Sequence, residues 1–194
     1  MTTKFLVCCV EEPSAQEMLK GILPRLGIPE NSFKIIIFQG KQDLDRRLLN
    51  ILKAWQQPNS VFLILRDQDS GDCQKLKQEL LTKLKNSGKI GLVRIVCRAL
   101  ESFYLGDLKA VEQALKIPKL AQLQNNRKFR DPDRLNNPDQ ELIKLTKNNY
   151  QKVSGSRAIS PYLDLTANKS YSFNILIAGI TQITGLGAEN EYSQ

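Results

Sequence analysis

Four short apolar runs limit what this chain can fold into: residues 5–10 (FLVCCV), 34–38 (KIIIF), 61–65 (VFLIL) and 92–97 (LVRIVC). The first three are each followed by a stretch with apolar residues at helical spacing, such as Met18, Leu19, Ile22 and Leu23, or Leu76, Leu80, Leu81 and Leu84. Strands this continuously apolar are buried on both faces. Joined by amphipathic helices of about a dozen residues, they predict βαβ units and a mainly parallel sheet covered by helices. After Cys97 the alternation stops. Residues 100–115 read as a helix, 117–137 as a charged loop, and 138–146, 156–163 and 170–184 as three more helices. The expected organisation is an α/β domain over residues 1–115, a helical, basic extension over 116–184 packed on it, and a flexible tail over 185–194.

All strands of a parallel sheet end on one edge, and open α/β sheets bind their ligands there. Acids collect where these strands should end: Glu11-Glu12 after the first run, Asp67-Gln68-Asp69 after the third, and Glu101 beyond the fourth. Clustered carboxylates repel unless a cation separates them. Oxygen donors suit a hard ion such as Mg²⁺, and two ions held by four or five carboxylates would clamp both oxygens of a phosphodiester displacement. Some acids also have local roles open to them. Glu11 and Glu12 suit the positive end of the following helix, an effect of about 0.3–1 kcal/mol. Ser14-Ala15-Gln16-Glu17 matches a capping box, so Glu17 is read as structural, and Asp72 reads as a cap of the third helix. Asp67 and Asp69 are harder to assign such a role, since both follow a fully apolar strand and one cap would have sufficed.

Composition narrows the chemistry further. The 194 residues hold 28 Lys and Arg against 20 Asp and Glu, a net charge of +8, and no histidine. A zinc site built on imidazole is excluded, as is the usual general base near neutral pH. The basic balance favours a polyanionic partner. Cys8, Cys9, Cys73 and Cys97 form no C-x-x-C pair, and the first two lie inside an apolar run, which points to a reducing, cytoplasmic setting. No apolar run approaches the roughly 20 residues of a membrane helix, and the start of the chain is too short in apolar residues for a signal segment. A soluble protein without membrane association is expected.

Val10-Glu11 and Asp67-Gln68-Asp69 resemble the glutamate and D-x-D of the Toprim fold, the metal-binding domain shared by topoisomerases, primases and the overcoming-lysogenization-defect nucleases. The longer stretches 10–14 (VEEPS), 65–72 (LRDQDSGD), 97–107 (CRALESFYLGD), 128–133 (KFRDPD) and 150–157 (YQKVSGSR) are similar to a prokaryotic Toprim-like family often encoded beside an ATPase in defence loci. The resemblance implies a Mg²⁺- or Mn²⁺-dependent nuclease acting on DNA ahead of RNA, as effector of an anti-phage system with an ATPase partner. It implies Glu11 as metal ligand or general acid/base, Asp67 and Asp69 as ligands, and Glu101 as support for a second ion. Glu12 stands where the usual Toprim pattern has glycine and adds a further carboxylate.

The remaining candidates are basic. Lys152 or Arg157 would meet the charge that develops on a cleaved phosphodiester. Between them Ser154-Gly155-Ser156 reads as a turn, with Ser156 capping the next helix. Lys128-Phe129-Arg130 places an aromatic between cations, so Lys128, Arg130 and Lys152 are candidate nucleic-acid contacts, with Phe129 also suited to anchoring its loop. Tyr104 is placed to orient an acid. Two other functions are open: a receiver-like phosphoacceptor domain with Asp67 as acceptor, and a non-catalytic nucleic-acid-binding or scaffold subunit of an ATPase complex. Self-association is compatible with all three.

Overall fold

Alternation along each strand divides the core in two. In the computed structural model, which describes residues 4–186, four parallel strands form one sheet: β1 (Phe5–Val10), β2 (Phe33–Ile37), β3 (Ser60–Asp67) and β4 (Gly91–Val96), in the order β2-β1-β3-β4. Leu6, Cys8 and Val10 of β1 and Val61, Leu63 and Leu65 of β3 share one apolar cluster, while Val7, Cys9, Phe62, Ile64, Val93 and Ile95 share another. The second cluster is closed by α2 (Lys41–Ala54) and α3 (Cys73–Asn86), through Leu44, Leu48, Leu52, Leu80 and Leu84.

The first cluster is larger. It is closed by α1 (Pro13–Ile22), α4 (Glu101–Leu105), α5 (Leu108–Leu115), α6 (Pro138–Leu145), α7 (Lys152–Ile159) and α8 (Tyr171–Thr184). Phe173, Leu176 and Ile180 of α8 join the same core as Leu100, Phe103, Tyr150 and Ile159. The helical segment after residue 115 thus shares a core with the sheet. This is the expected α/β, Toprim-like arrangement with helices on both faces and a C-terminal helical segment. Because β1 is followed by α1 on one face and β2 by α2 on the other, the winding reverses between β1 and β3. That crevice is where an open sheet presents a ligand site.

Details differ from the sequence reading. The helix expected over 100–115 is broken at Gly106-Asp107, where a Cβ on Gly106 would lie 2.0 Å from Asn168 Oδ1, and Asp107 caps α5 by accepting from the Ala110 N–H. The capping box does not form, because α1 starts at Pro13 with Glu12 as N-cap, which puts Ser14 inside the first turn. Ser154, Gly155 and Ser156 lie inside α7 rather than in a turn, and the Ser156 hydroxyl donates to Lys152 O instead of capping. Asp72 does cap α3, accepting from the Lys75 N–H at 2.9 Å. The expected tail lies, after Leu186, outside the described residues. Among those residues no helix is long and apolar enough to cross a membrane.

Candidate metal centre

β3 runs two residues past its apolar core, so Asp67 is still a strand residue, paired with Val96. Beyond it the loop is fastened to the loop after β4. The Gln68 N–H donates to Val96 O, the Asp69 N–H to Arg98 O at 2.8 Å, and the Arg98 N–H to Gln68 Oε1. Asp69 and Arg98 both adopt left-handed backbone, φ 53° and 64°. Such conformations persist in non-glycine residues when neighbouring bonds hold them, often at functional sites. Glu12 has φ −136°, a value any residue adopts, so the carboxylate in the usual glycine position leaves the turn undistorted.

Glu11, Glu12, Asp67 and Asp69 line one cleft of about 400 Å³ together with Ser70, Arg98 and Lys152. Its far wall is the chain entering α6, Asn136 to Asp139. Burial, then Glu101 and Glu11, push the Asp67 carboxyl well above its ordinary range, although it accepts from the Leu100 N–H. Glu11 is raised by burial and by Asp69, against a smaller opposing effect of Arg66. Its Oε2 is buried with no hydrogen-bond partner, and so is Arg66 Nε, 4.0 Å away. Arg66 instead donates through Nη1 to Asp45 at 2.8 Å.

The other acids are engaged. Lys41 Nζ lies 3.0 Å from Asp69 Oδ2, and Lys152 Nζ lies 3.5 Å from Glu12 Oε2. Burial works against the charge on Lys152, but Glu101, Glu12 and Asp67 outweigh it and raise its pKa, so the ammonium persists at neutral pH. Glu101 is buried and accepts from the Tyr150 hydroxyl at 2.9 Å. Burial raises its carboxyl. The Tyr150 ring takes the space that a Cβ on Gly155 would need, 2.4 Å from the ring, which explains glycine at that point of α7.

Among the described residues no three acidic or cysteine side chains are gathered into a ready metal-ligating group. Lysines hold two of the five acids that line the cleft, Asp69 and Glu12, in place. The donors are nevertheless all oxygens, one buried carboxylate oxygen lacks a hydrogen-bond partner, and acid crowds acid at Asp67. A hard divalent cation fits that combination.

Of the residues selected from sequence, Glu11, Glu12, Asp67, Asp69 and Lys152 share this cleft. Glu101 does not line it but sits behind Asp67. Arg157 is elsewhere: its Nε donates to Glu17 of α1, because α1 and α7 pack together and bring the two side chains into contact. Lys128 and Arg130 line a separate groove, with Phe129 buried as the anchor of their loop. Tyr150, not Tyr104, holds the acid; the Tyr104 hydroxyl is buried without a partner. Sequence reasoning missed Lys41, Arg66, Arg98 and Tyr150. Arg66 carried a signal, being a charge at the end of an apolar strand, and Lys41 follows the second strand on the same edge. Tyr150 opens the stretch 150–157 that carries the resemblance, but nothing local linked it to Glu101.

A family model described as a domain of unknown function, DUF4276, matches residues 10–181. No curated protein matches the chain in sequence. The C-terminal region of the Burkholderia pseudomallei OLD protein superposes with a TM-score of 0.58 at 14% identity, covering 95% of this chain and 98% of that one. The C-terminal region of the Xanthomonas campestris pv. campestris OLD protein gives 0.56 at 13% identity, covering 97% and 100%. At these identities the likeness is one of fold.

Proposed function

The chain belongs to the DUF4276 family, and on that premise we propose that it is a divalent-metal-dependent nuclease hydrolysing phosphodiesters in the cleft between β1 and β3. The observation that carries this reading is the meeting of Glu11, Glu12, Asp67 and Asp69 from the strand ends, with Asp139 of α6 as a fifth acid, and two cations, Lys152 and Arg98, in one cleft at the reversal of the sheet. Glu11, Asp67 and Asp69 would hold Mg²⁺ or Mn²⁺, with Glu12 free to join once Lys152 turns to substrate. A bound cation would supply Lewis acidity toward the phosphoryl oxygens and an acidified water.

This chain's own residues do the rest. Lys152 stays charged and stands opposite the acids, where it offsets negative charge developing on the phosphate. Arg98, fixed by its bonds to the Asp67–Asp69 loop, orients a phosphate oxygen. Tyr150 holds Glu101 behind Asp67, where its charge helps raise the Asp67 carboxyl, and Oε2 of Glu11, which has no hydrogen-bond partner, is the local candidate to take a proton in the absence of any histidine. DNA ahead of RNA as substrate, a cytoplasmic anti-phage role and an ATPase partner belong to the same proposal and rest on the sequence resemblance. The receiver alternative needs a lysine after a fifth strand, whereas the sheet has four strands among the described residues.

The test is nicking of supercoiled plasmid by purified protein with Mn²⁺ or Mg²⁺. Cleavage is expected to disappear in EDTA and to fall at least about a hundredfold in Asp67→Ala. Equal cleavage by that variant would sink the assignment.

A further inference from the structure

A second groove, of about 600 Å³, is lined by Arg127, Lys128, Arg130, Asp131, Arg134 and Leu135. We propose that this groove, with Tyr171 at its side, binds single-stranded nucleic acid and leads it to the carboxylate cleft. The inference deepens the nuclease reading, and rests on it, by naming the form of the substrate.

Four cations face one acid in this groove. Lys128 is paired with Glu141 and Arg134 with Asp131, whereas Arg127 and Arg130 are exposed and have no ion-pair partner among the described residues. Unpaired guanidinium groups on a concave surface suit the charge and planar oxygens of a phosphate backbone. The loop that carries them is held rigid. Phe129 is buried, the Gln124 side-chain amide donates to Phe129 O at 2.8 Å and to Leu105 O at 3.0 Å, and the Arg130 N–H donates to Asn126 O.

An aromatic stands close by. Asp133 accepts from the Ser170 hydroxyl at 2.7 Å and from the Ser172 N–H at 2.8 Å, which ties the start of α8 to the segment bearing Asp131 and Arg134. Between those serines is Tyr171, 72% exposed. An exposed ring on the segment that Asp133 ties to the groove loop, together with free arginines in the groove, supplies the two elements single strands use, cations for the phosphates and a ring for an unstacked base. A duplex keeps its base faces covered and would leave the ring unused. The groove also has a direction, since Leu135 lines it and Asn136, the next residue, lines the carboxylate cleft.

The experiment is fluorescence anisotropy in EDTA, so that nothing is cleaved, with labelled oligo-dT and oligo-U of about 16 nucleotides and a duplex control. Arg127→Glu/Arg130→Glu is expected to weaken binding of single strands at least about tenfold and to flatten its salt dependence. Tyr171→Ala is expected to weaken single-strand binding about fivefold to tenfold and to leave duplex binding unchanged, with Tyr171→Trp restoring it. Circular dichroism and Tm check that each variant is folded. Unchanged affinity in the double arginine variant, no binding by the wild-type chain, or equal effects of Tyr171→Ala on both forms would overturn the proposal. Asp67→Ala separates the two readings: retained binding with lost cleavage supports both, and retained binding with retained cleavage removes only the nuclease assignment.

Discussion

Glu17 and Asp67 are two acids set into the same side of the fold, and their surroundings push them in opposite directions. Glu17 is 7% exposed, accepts from Arg157 and Lys20, and has its pKa lowered chiefly by the Arg157 hydrogen bond. Asp67 accepts one backbone N–H and otherwise meets burial and other acids, which raise it. The first acid is electrostatically satisfied within the chain. The second has no ion-pair partner at contact distance among the described residues, only the more distant charge of Lys152. A fold keeps such a strained carboxylate at a cost in stability when the site needs it, so the contrast separates a structural acid from a candidate ligand better than burial alone does.

The largest effect expected from breaking this contrast is on activity and stability together at Asp67. Asp67→Asn removes the repulsion while keeping the acceptor for Leu100, so nicking should be lost while thermal stability in EDTA rises by about 1 kcal/mol. A variant that is both inactive and less stable would mean that Asp67 is structural. Next in size is Glu17→Gln, which should cost about 1 kcal/mol, seen as a Tm lower by about 2–4 °C, with nicking retained.

The two acids also predict opposite pH dependences. The lowered pKa of Glu17 gives stability that is present above its ordinary value of 4.5 and lost as pH falls through the folded value. The raised pKa of Asp67 gives stability that is present below 3.8 and lost as pH rises toward the folded value. Urea titrations in EDTA should therefore show a flatter acid limb in Glu17→Gln and a smaller loss toward neutrality in Asp67→Asn. The smallest effect concerns Lys41. Its pair with Asp69 is half exposed, 52% and 45%, so Lys41→Ala should leave stability nearly unchanged. It should also tighten Mn²⁺ binding two- to threefold, measured by calorimetry, because Asp69 no longer has a resident counter-ion. Weaker binding would instead make Lys41 a support for the Asp69 loop.

Much of this contrast could be anticipated from the chain itself. Apolar runs against helical periodicity fixed the strands β1 to β4 and the helices α1 to α3 to within a few residues, because both patterns depend only on neighbours. The acids at Glu11, Asp67 and Asp69 were legible for the same reason: a parallel sheet puts every strand end on one edge whatever the helices do. The serine caps expected at Ser14 and Ser156 were misplaced because a Ser can cap only if it stands just outside the first turn, and α1 and α7 start before them, at Pro13 and Lys152.

What the sequence determined by itself was the parallel sheet, its two apolar faces and the carboxylates along one edge, all consequences of local spacing. Only the tertiary structure decided which side chains meet those carboxylates. Arg157 pairs with Glu17 across 140 residues, Tyr150 reaches Glu101 across 49, and Lys41 reaches Asp69 across 28. Such pairings depend on how α7 packs against α1 and how the loops cross the sheet edge. No periodicity along the chain encodes those distances, so the choice between a satisfied acid and a strained one emerges only when the layers close.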